Sequence, residues 1–353
     1  MTAITKLQSI LGDGECAVIT GEVGRRYFTK MKSSAGTVLI FKDSAYLIID
    51  FRYFEKAKKV VTDCKVVQQE RLYHQMNALF KKHGAQRALI DEGTVTLNEY
   101  FALKDNLNIK VLQKSGLSKI VSSLRTVKTE REREKIIKAQ RIAEKAYTEL
   151  LNFIRVGMTE REIALELNRL MFCYGAEDLS FETIALGGAN TSVPHGTPGD
   201  YKLCDGDFLL MDFGAVYDGY HSDMTRTVAV GHVDDKKASV YDTVLKAQLA
   251  GIEKIKAGIT CREVDVAARE LIDSAGYEGR FGHSFGHGVG LEIHETPNVS
   301  PNCDITLKSG MVITAEPGIY LEGEFGVRIE DFGMVTDDGF DNFTKAPKSL
   351  LVL

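Results

Sequence analysis

The sequence predicts two successive domains of different class, an α/β unit over residues 1–123 and an α+β unit over residues 124–353 that repeats one helix, helix and hairpin pattern. Three observations carry this reading. Short β-rich runs alternate with helical runs through the first third of the chain. The alternation stops where Thr129 and Glu132 form the capping box of a long helix. Two segments, GMTEREIALELNRLMFCYGA from Gly157 and GITCREVDVAARELIDSAGY from Gly258, then align with glycine, threonine, arginine and glutamate in register at an offset of 101. At 353 residues the chain is also long for a single core.

In the first unit CAVIT, GTVLIF, AYLIID, KVV, RALID and NIKVL read as strands, and FRYFEKAKKVV and ERLYHQMNALFKKHG read as helices. Its two histidines, His74 and His83, fall on a charged helix and are expected to be solvated. No phosphate-binding glycine loop occurs there, so nothing points to a nucleotide domain. Between Gly116 and Lys128 the sheet pattern ends. The helix opening at Thr129 is expected to run to about Arg155, and the next one has Thr159 and Glu162 as its capping box and Gly175 as its stop. Each copy of the repeat follows a long amphipathic helix and precedes β-structure. Two such halves would pack about a pseudo-twofold axis and bring their hairpins together.

Composition narrows the function classes. Hydrophobic residues make up 44% and charged residues 26%, and the net charge of -5 comes without long single-sign blocks, so neither nucleic acid nor an anionic membrane is an expected partner. No apolar run approaches the roughly 18 residues that span a bilayer. The start, MTAITKLQSILGDGE, lacks a secretory apolar stretch, which makes the expected location cytoplasmic. Six scattered cysteines, Cys16, Cys64, Cys173, Cys204, Cys261 and Cys303, read as reduced thiols rather than a zinc knuckle or a disulfide frame.

The chemistry concentrates in the two hairpins. In FLLMDFGAVYDGYHSDMTRTVAV the pair Asp218 and Gly219 is a two-residue turn signal. If Tyr217 then pairs with Tyr220, Asp212 lies opposite Thr225, and Asp223 sits two residues along on the same face. Diagonal neighbours of this kind are roughly 7 to 8 Å apart at the backbone, room for a metal pair about 3.5 to 4 Å apart. In MVITAEPGIY and EFGVRIEDFGMV a turn centred on Gly323 places Glu316 opposite Glu330. Four convergent acids repel one another and cannot all stay ionised unless a cation neutralises them. The bland alternative is two polar hairpin faces in water.

Between these hairpins lies FGHSFGHGVGLEIHE, with His283, His287 and His294. Its glycines argue against a helix and for an irregular strand that approaches something closely. His195, in the turn-rich SVPHGTPGD, is free to face a substrate, whereas His221 and His232 read as structural or solvated. Arg328, two residues from Glu330 on the same strand face, is a candidate substrate-facing or carboxylate-facing cation, with an ordinary surface arginine as the alternative.

Asp212, Asp223, His287, Glu316 and Glu330, with MDFGAVYDGYHSDMTRT, GHGVGLEIHE, TAEPGIY and GVRIEDFGMV in that order, resemble the ligand set and motifs of the pita-bread metallopeptidases. The likeness covers about Leu124 to Leu353. The first unit, with SSAGTVLIF and AYLIIDFRYFEKAKK, resembles the smaller domain of aminopeptidase P, prolidase and creatinase. The resemblance implies that Asp212 chelates one ion, that Asp223 and Glu330 bridge two, and that His287 and Glu316 complete the second. Four carboxylates and an imidazole suit manganese first, with cobalt or zinc as alternatives. It implies hydrolysis of the bond before proline by a hydroxide held between the ions, with Glu316 carrying a proton, His195 and His294 binding the substrate and stabilising the tetrahedral intermediate, and His283 lining the proline pocket. The substrates would be peptides with proline in second position, and the expected assembly is a homodimer. No arginine occurs from Gly288 to Ala315 to hold a dipeptide's carboxylate, and the loop between Glu316 and Glu330 is short. The reading therefore leans to aminopeptidase P, with prolidase as the alternative. A non-hydrolytic binding protein or a creatinase-like amidinohydrolase would show erosion of the five ligands, and all five are present.

Overall fold

The computed structural model describes all 353 residues and divides into two compact units, Met1–Arg125 and Thr126–Leu353. In the first, strands β1 (Glu15–Ile19), β2 (Thr37–Phe41), β3 (Ala45–Ile49), β4 (Lys65–Gln68), β5 (Arg87–Ile90) and β6 (Lys110–Leu112) form one mixed sheet in the order β4-β3-β2-β1-β5-β6. The helices are α1 (Ala3–Gln8), α2 (Glu22–Thr29), α3 (Phe51–Val60), α4 (Leu72–His83), α5 (Leu97–Asn106) and α6 (Leu117–Thr126). Both faces of β2 and β3 are buried, which explains why these strands read as unbroken apolar runs instead of alternating ones. Cys16, Val18, Leu39, Phe41, Tyr46 and Ile48 share one face, and Met76 and Phe80 of α4 with Leu103 of α5 cover it.

The six strands and both helices expected from the sequence are present, but four helices were not anticipated: α1, α2, α5 and α6. The expectation for His83 is corrected. Its side chain is 7% exposed, its ring stacks 4.5 Å from Phe41, and its Nε2 lies 2.9 Å from the Tyr46 hydroxyl, because the last turn of α4 lays it over the edge of the sheet rather than in water.

The second unit is one motif built twice. The first half comprises α7 (Glu130–Leu150), α8 (Glu160–Cys173), β7 (Asp178–Leu179), β8 (Ile184–Gly187), β9 (Phe208–Phe213), β10 (Ala215–Tyr217), β11 (Tyr220–His221) and β12 (Met224–Ala229). The second comprises α9 (Asp235–Lys254), α10 (Cys261–Ile272), β13 (Gly286–Gly288), β14 (Glu295–Val299), β15 (Val312–Ala315), β16 (Gly318–Leu321), β17 (Phe325–Arg328), β18 (Asp331–Val335) and β19 (Phe340–Asn342). The orders β12-β9-β8 and β18-β15-β13 match, and every one of these neighbours is antiparallel. Capping boxes open α7, α8 and α10. The first long helix stops at Leu150, short of Arg155, as Phe153 N–H closes back on the Leu150 carbonyl.

Backbone bonds and one matched ion pair establish the repeat. Thr159 bridges Lys202 as Thr260 bridges Thr306, Gly157 N–H reaches Leu203 at 2.8 Å as Gly258 N–H reaches Leu307 at 3.0 Å, and the ion pair Arg161–Asp200 is matched by Arg262–Asp304. Strand periodicity then sorts the side chains. Leu209, Met211 and Phe213 pack with Ile163 and Leu167 of α8, and Ile313 and Ala315 pack with Val264 and Ala268 of α10. The alternate positions, Asp212 in one half and Thr314 and Glu316 in the other, therefore turn away from the helices.

Candidate metal centre

The first hairpin turns at Asp218 and Gly219, with φ of 44° and 77°, the paired left-handed conformation whose twist suits a two-residue loop. Tyr217 pairs with Tyr220, and the same register continues to Phe208 opposite Ala229. Asp212 consequently faces Thr225, and Asp223 follows two residues along. The second hairpin is built alike. Leu321 pairs with Phe325 around Gly323, and Ala315 with Asp331, so one register runs through both strand pairs and sets Glu316 opposite Glu330.

His287 enters from β13, where the pairing with β14 shifts between His287 and Gly288. A Cβ on Gly286 would lie 2.2 Å from the Thr314 carbonyl; only glycine lets this strand come so close. His287 N–H donates to Thr314 Oγ1 at 2.9 Å, and that hydroxyl donates to Glu316 Oε1 at 3.0 Å. Since a carbonyl can only accept, His287 Nδ1 donates to Gly288 O at 3.1 Å, and Nε2 is left facing the acids.

Nitrogen and oxygen ligand atoms of Asp223, His287 and Glu330 all lie within 4.8 Å of one another. His287 Nε2 is 3.2 Å from Glu316 Oε1 and 3.5 Å from Asp223 Oδ2. Asp212 Oδ1 and Glu330 Oε1 are buried without a hydrogen-bond partner. Orphaned carboxylate oxygens in a buried acid cluster are costly unless a cation completes them, so the residues present fit divalent metal.

The charges of the cluster are interdependent. Burial pushes the Asp212 carboxyl up, Arg328 pulling against it and Glu316 adding to it. Burial, then the neighbouring acids, pushes Asp223 and Glu330 well up. Glu316 goes the other way: burial is outweighed by the His287 hydrogen bond and charge, holding it down at about 2. Burial opposes a proton on His287, but Glu316 and Asp223 overcome it and raise the imidazole to about 9.

Arg328 is 3% exposed, which excludes a surface arginine. Its guanidinium donates to Asp212 Oδ2 at 2.6 Å, Thr225 Oγ1 at 3.0 Å, Tyr320 Oη at 2.8 Å and the Pro194 carbonyl at 3.3 Å. Tyr320 in turn donates to His283 Nε2 at 2.9 Å, while His283 Nδ1 donates to the Ser284 carbonyl at 2.9 Å. Burial lowers the His283 pKa, so this imidazole is neutral. His294 stands edge-on to His287 at 4.4 Å between ring centroids, and burial followed by the His287 charge lowers its pKa. His195 is exposed. All nine residues singled out in the sequence line one cavity of about 880 Å³, whose wall also includes Arg161, Phe181, Ile184 and Asn298. Sequence reasoning missed Tyr320, although it lies in the GIY segment, and missed the hydroxyls of Thr225 and Thr314. Thr225 donates to Glu330 Oε2 at 2.8 Å; its place opposite Asp212 was the available signal. Arg226, 1% exposed, holds the Glu330 carbonyl and pairs with Asp331 at 2.8 Å.

Comparisons with known proteins place the chain in a family. Residues 134–337 match metallopeptidase family M24, and residues 4–127 match the creatinase/prolidase N-terminal domain. The chain is 38% identical over 316 residues to an Xaa-Pro dipeptidase of Pyrococcus furiosus, covering 90% of this chain and 89% of that one. Among solved structures, an Xaa-Pro dipeptidase from Bacillus anthracis superposes with a TM-score of 0.95 at 41% identity, covering 99% of each chain. An X-Pro aminopeptidase from Thermotoga maritima superposes at 0.91 and 34% identity, covering 99% of this chain and 100% of that one. These relatives weigh toward the dipeptidase alternative, against the lean to aminopeptidase P. The lean rested on the missing arginine between Gly288 and Ala315 and on the short loop between Glu316 and Glu330, but the fold brings Arg161 to the cavity wall from elsewhere. No helix is long and apolar enough to cross a membrane. Through residues 134–337, more than half of its length, the chain belongs to metallopeptidase family M24.

Proposed function

We propose that this protein is a two-metal Xaa-Pro dipeptidase that cleaves the bond before proline, with residues 124–353 as its catalytic unit and residues 1–123 as its creatinase/prolidase-like domain. The observation that carries the reading is the convergence of Asp212, Asp223, His287, Glu316 and Glu330 on one cavity wall, with two buried carboxylate oxygens unpartnered. Asp212 would hold one ion, Asp223 and Glu330 would bridge, and His287 and Glu316 would complete the other. Manganese is the metal proposed, with cobalt or zinc as alternatives, and the working form is taken to be a cytoplasmic homodimer. When bound, such ions supply Lewis acidity, activating water and polarising the scissile carbonyl.

The chain's own groups do the rest. Glu316, ionised across the neutral range, can accept a proton from the attacking water and pass it on. His294 and His195 reach into the cavity, where an imidazole N–H can donate to substrate oxygen as charge develops there. His283, neutral and anchored at both nitrogens, offers an apolar ring face for proline. Arg328 acts through Asp212.

One observation favours the second reading, aminopeptidase P. Arg328 is committed to protein acceptors, which leaves Arg161, its side chain 57% exposed and paired with Asp200, as the wall's other arginine. Assaying Leu-Pro beside an Xaa-Pro-Pro peptide, after chelation and after return of manganese, separates the cases. The expected outcome is metal-dependent hydrolysis with preference for the dipeptide. Preference for the longer peptide would overturn the dipeptidase reading, and no hydrolysis by metal-loaded protein would overturn the peptidase.

A further inference from the structure

The loop that carries His195 is held by a buried carboxylate outside the metal cluster. Glu160, the first residue of α8, is 1% exposed. Its Oε1 accepts from Gly187 N–H at 2.7 Å and from Asn190 Nδ2 at 2.9 Å, and its Oε2 accepts from Gly199 N–H at 2.9 Å. Gly187 and Asn190 precede His195 and Gly199 follows it, so one side chain fastens both feet of the loop. Backbone bonds extend the attachment on the far side only: Glu160 N–H to the Tyr201 carbonyl and Arg161 N–H to the Gly199 carbonyl, each at 3.1 Å. Inside the loop, Gly196 N–H bonds the Val193 carbonyl at 3.1 Å, and the Pro194 carbonyl accepts from Arg328. The His195 ring itself makes no hydrogen bond to the protein, so its position depends on the backbone that bears it.

The internal repeat isolates this brace. At the matching position of the second half stands Cys261, and Cys303 stands where Gly199 does. The backbone bond survives there, Arg262 N–H reaching the Cys303 carbonyl at 2.9 Å, whereas the carboxylate and its three donors do not. The helix-to-strand joint therefore forms without a glutamate, and the matching loop of the second half, which also brings a histidine, His294, to the cavity, is held instead by the pairing of β14 with β13. A buried carboxylate is retained at a desolvation cost only where its hydrogen bonds are complete, and here both oxygens are used.

From this we infer that Glu160 is a positioning residue for His195: its carboxylate fixes the loop of residues 187–199 so that the imidazole meets the substrate in the cavity. The inference rests on the proposed substrate-binding role of His195. Glu160→Gln is the informative variant, because the amide keeps the shape and one acceptor but sets an N–H₂ against an N–H donor. In the full-length, manganese-loaded protein, His195→Ala should lower kcat/KM for Leu-Pro about 100-fold, and Glu160→Gln about tenfold, with metal content unchanged in both. In the His195→Ala background Glu160→Gln should cause no further loss, since the group it positions is gone. Equal loss in both backgrounds, loss of metal, or no loss at all would overturn the inference. If Glu160→Gln does not fold, Asn190→Ala decides: this exposed residue removes one of the three donors, and its smaller loss should likewise vanish when His195 is absent. An additive loss there would overturn the inference. An undiminished His195→Ala enzyme would instead overturn the role of His195, and this inference with it.

Discussion

Replacing Arg328 by methionine tests whether the metal cluster is balanced from beneath by a fixed cation. Methionine keeps an unbranched apolar stem and deletes the guanidinium that bonds Asp212, Thr225, Tyr320 and the Pro194 carbonyl. The Arg328 and Asp212 side chains are only 3% and 12% exposed, so little solvent can replace the lost charge. Breaking a buried pair by removing one partner costs about 3–5 kcal/mol. For a unit of 150–250 residues, about 2–4 °C of midpoint is lost per kcal/mol, so the metal-free variant should melt roughly 6–20 °C below the metal-free parent. Without Arg328 the His287 imidazolium is the cation left beside the acids. Manganese supplies the missing charge, and the gap between variant and parent should therefore narrow when both are loaded. Calorimetry of both proteins in chelator and then in manganese measures the two gaps. A metal-free midpoint within about 2 °C of the parent, below the smallest expected shift, would refute the argument that Asp212 depends on this guanidinium.

Two further outcomes follow from the same geometry. Gly219→Val places a β-branched residue at φ 77°, at a cost of roughly 1–2 kcal/mol, and should weaken manganese binding by calorimetric titration without touching a ligand; unchanged affinity and activity would show that the register of Asp212 against Asp223 does not depend on the turn. The metal-free His287, raised to about 9, carries a proton at neutral pH. Its contribution to stability is complete below the ordinary histidine value near 6.5 and is lost as pH rises through about 9. An entering ion must displace that proton and those on the raised carboxyls, so manganese should bind more tightly from pH 6 toward 9 and release protons, read as a heat that varies with buffer ionisation enthalpy. An affinity flat across that range would contradict the charge assignment.

How much of this was legible beforehand depended on whether the signal was local. The Asp218–Gly219 turn carries its own backbone chemistry, so counting outward from it placed Asp212 opposite Thr225 correctly. The capping boxes at Thr129 and Thr159 are equally local. The same signal at Thr96 and Glu99, a complete capping box in the structure, went unread because the apolar pattern of α5 is weak, with Leu103 its buried residue. In α6, Leu117, Ile120, Val121 and Leu124 recur at helical spacing but were taken for the end of the sheet. His83 was misjudged because the residues that bury it, Phe41 and Tyr46, are brought to it by the sheet. The partners of Arg328 lie 8 to 134 positions away in sequence, and no periodicity could reveal them. For the same reason an arginine search confined to the chain beside the histidines could not find Arg161.

The two halves of the second unit meet along a seam that runs through the proposed ligands themselves. Asp212 is tied across it to Arg328, Thr225 to Glu330, and Thr227 to the Arg328 carbonyl. The seam is thus both a hydrogen-bonded line between the hairpins and the place where acidic side chains are crowded. Without ions it is held shut by a few polar rivets and by carboxyls pushed toward their protonated form; bound ions would displace those protons and draw both halves onto shared charge. Metal loading should then register as slower amide exchange along β12 and β17, far more than in the helices behind them, and the reaction chamber and the joint between the repeats would tighten as a single mechanical event.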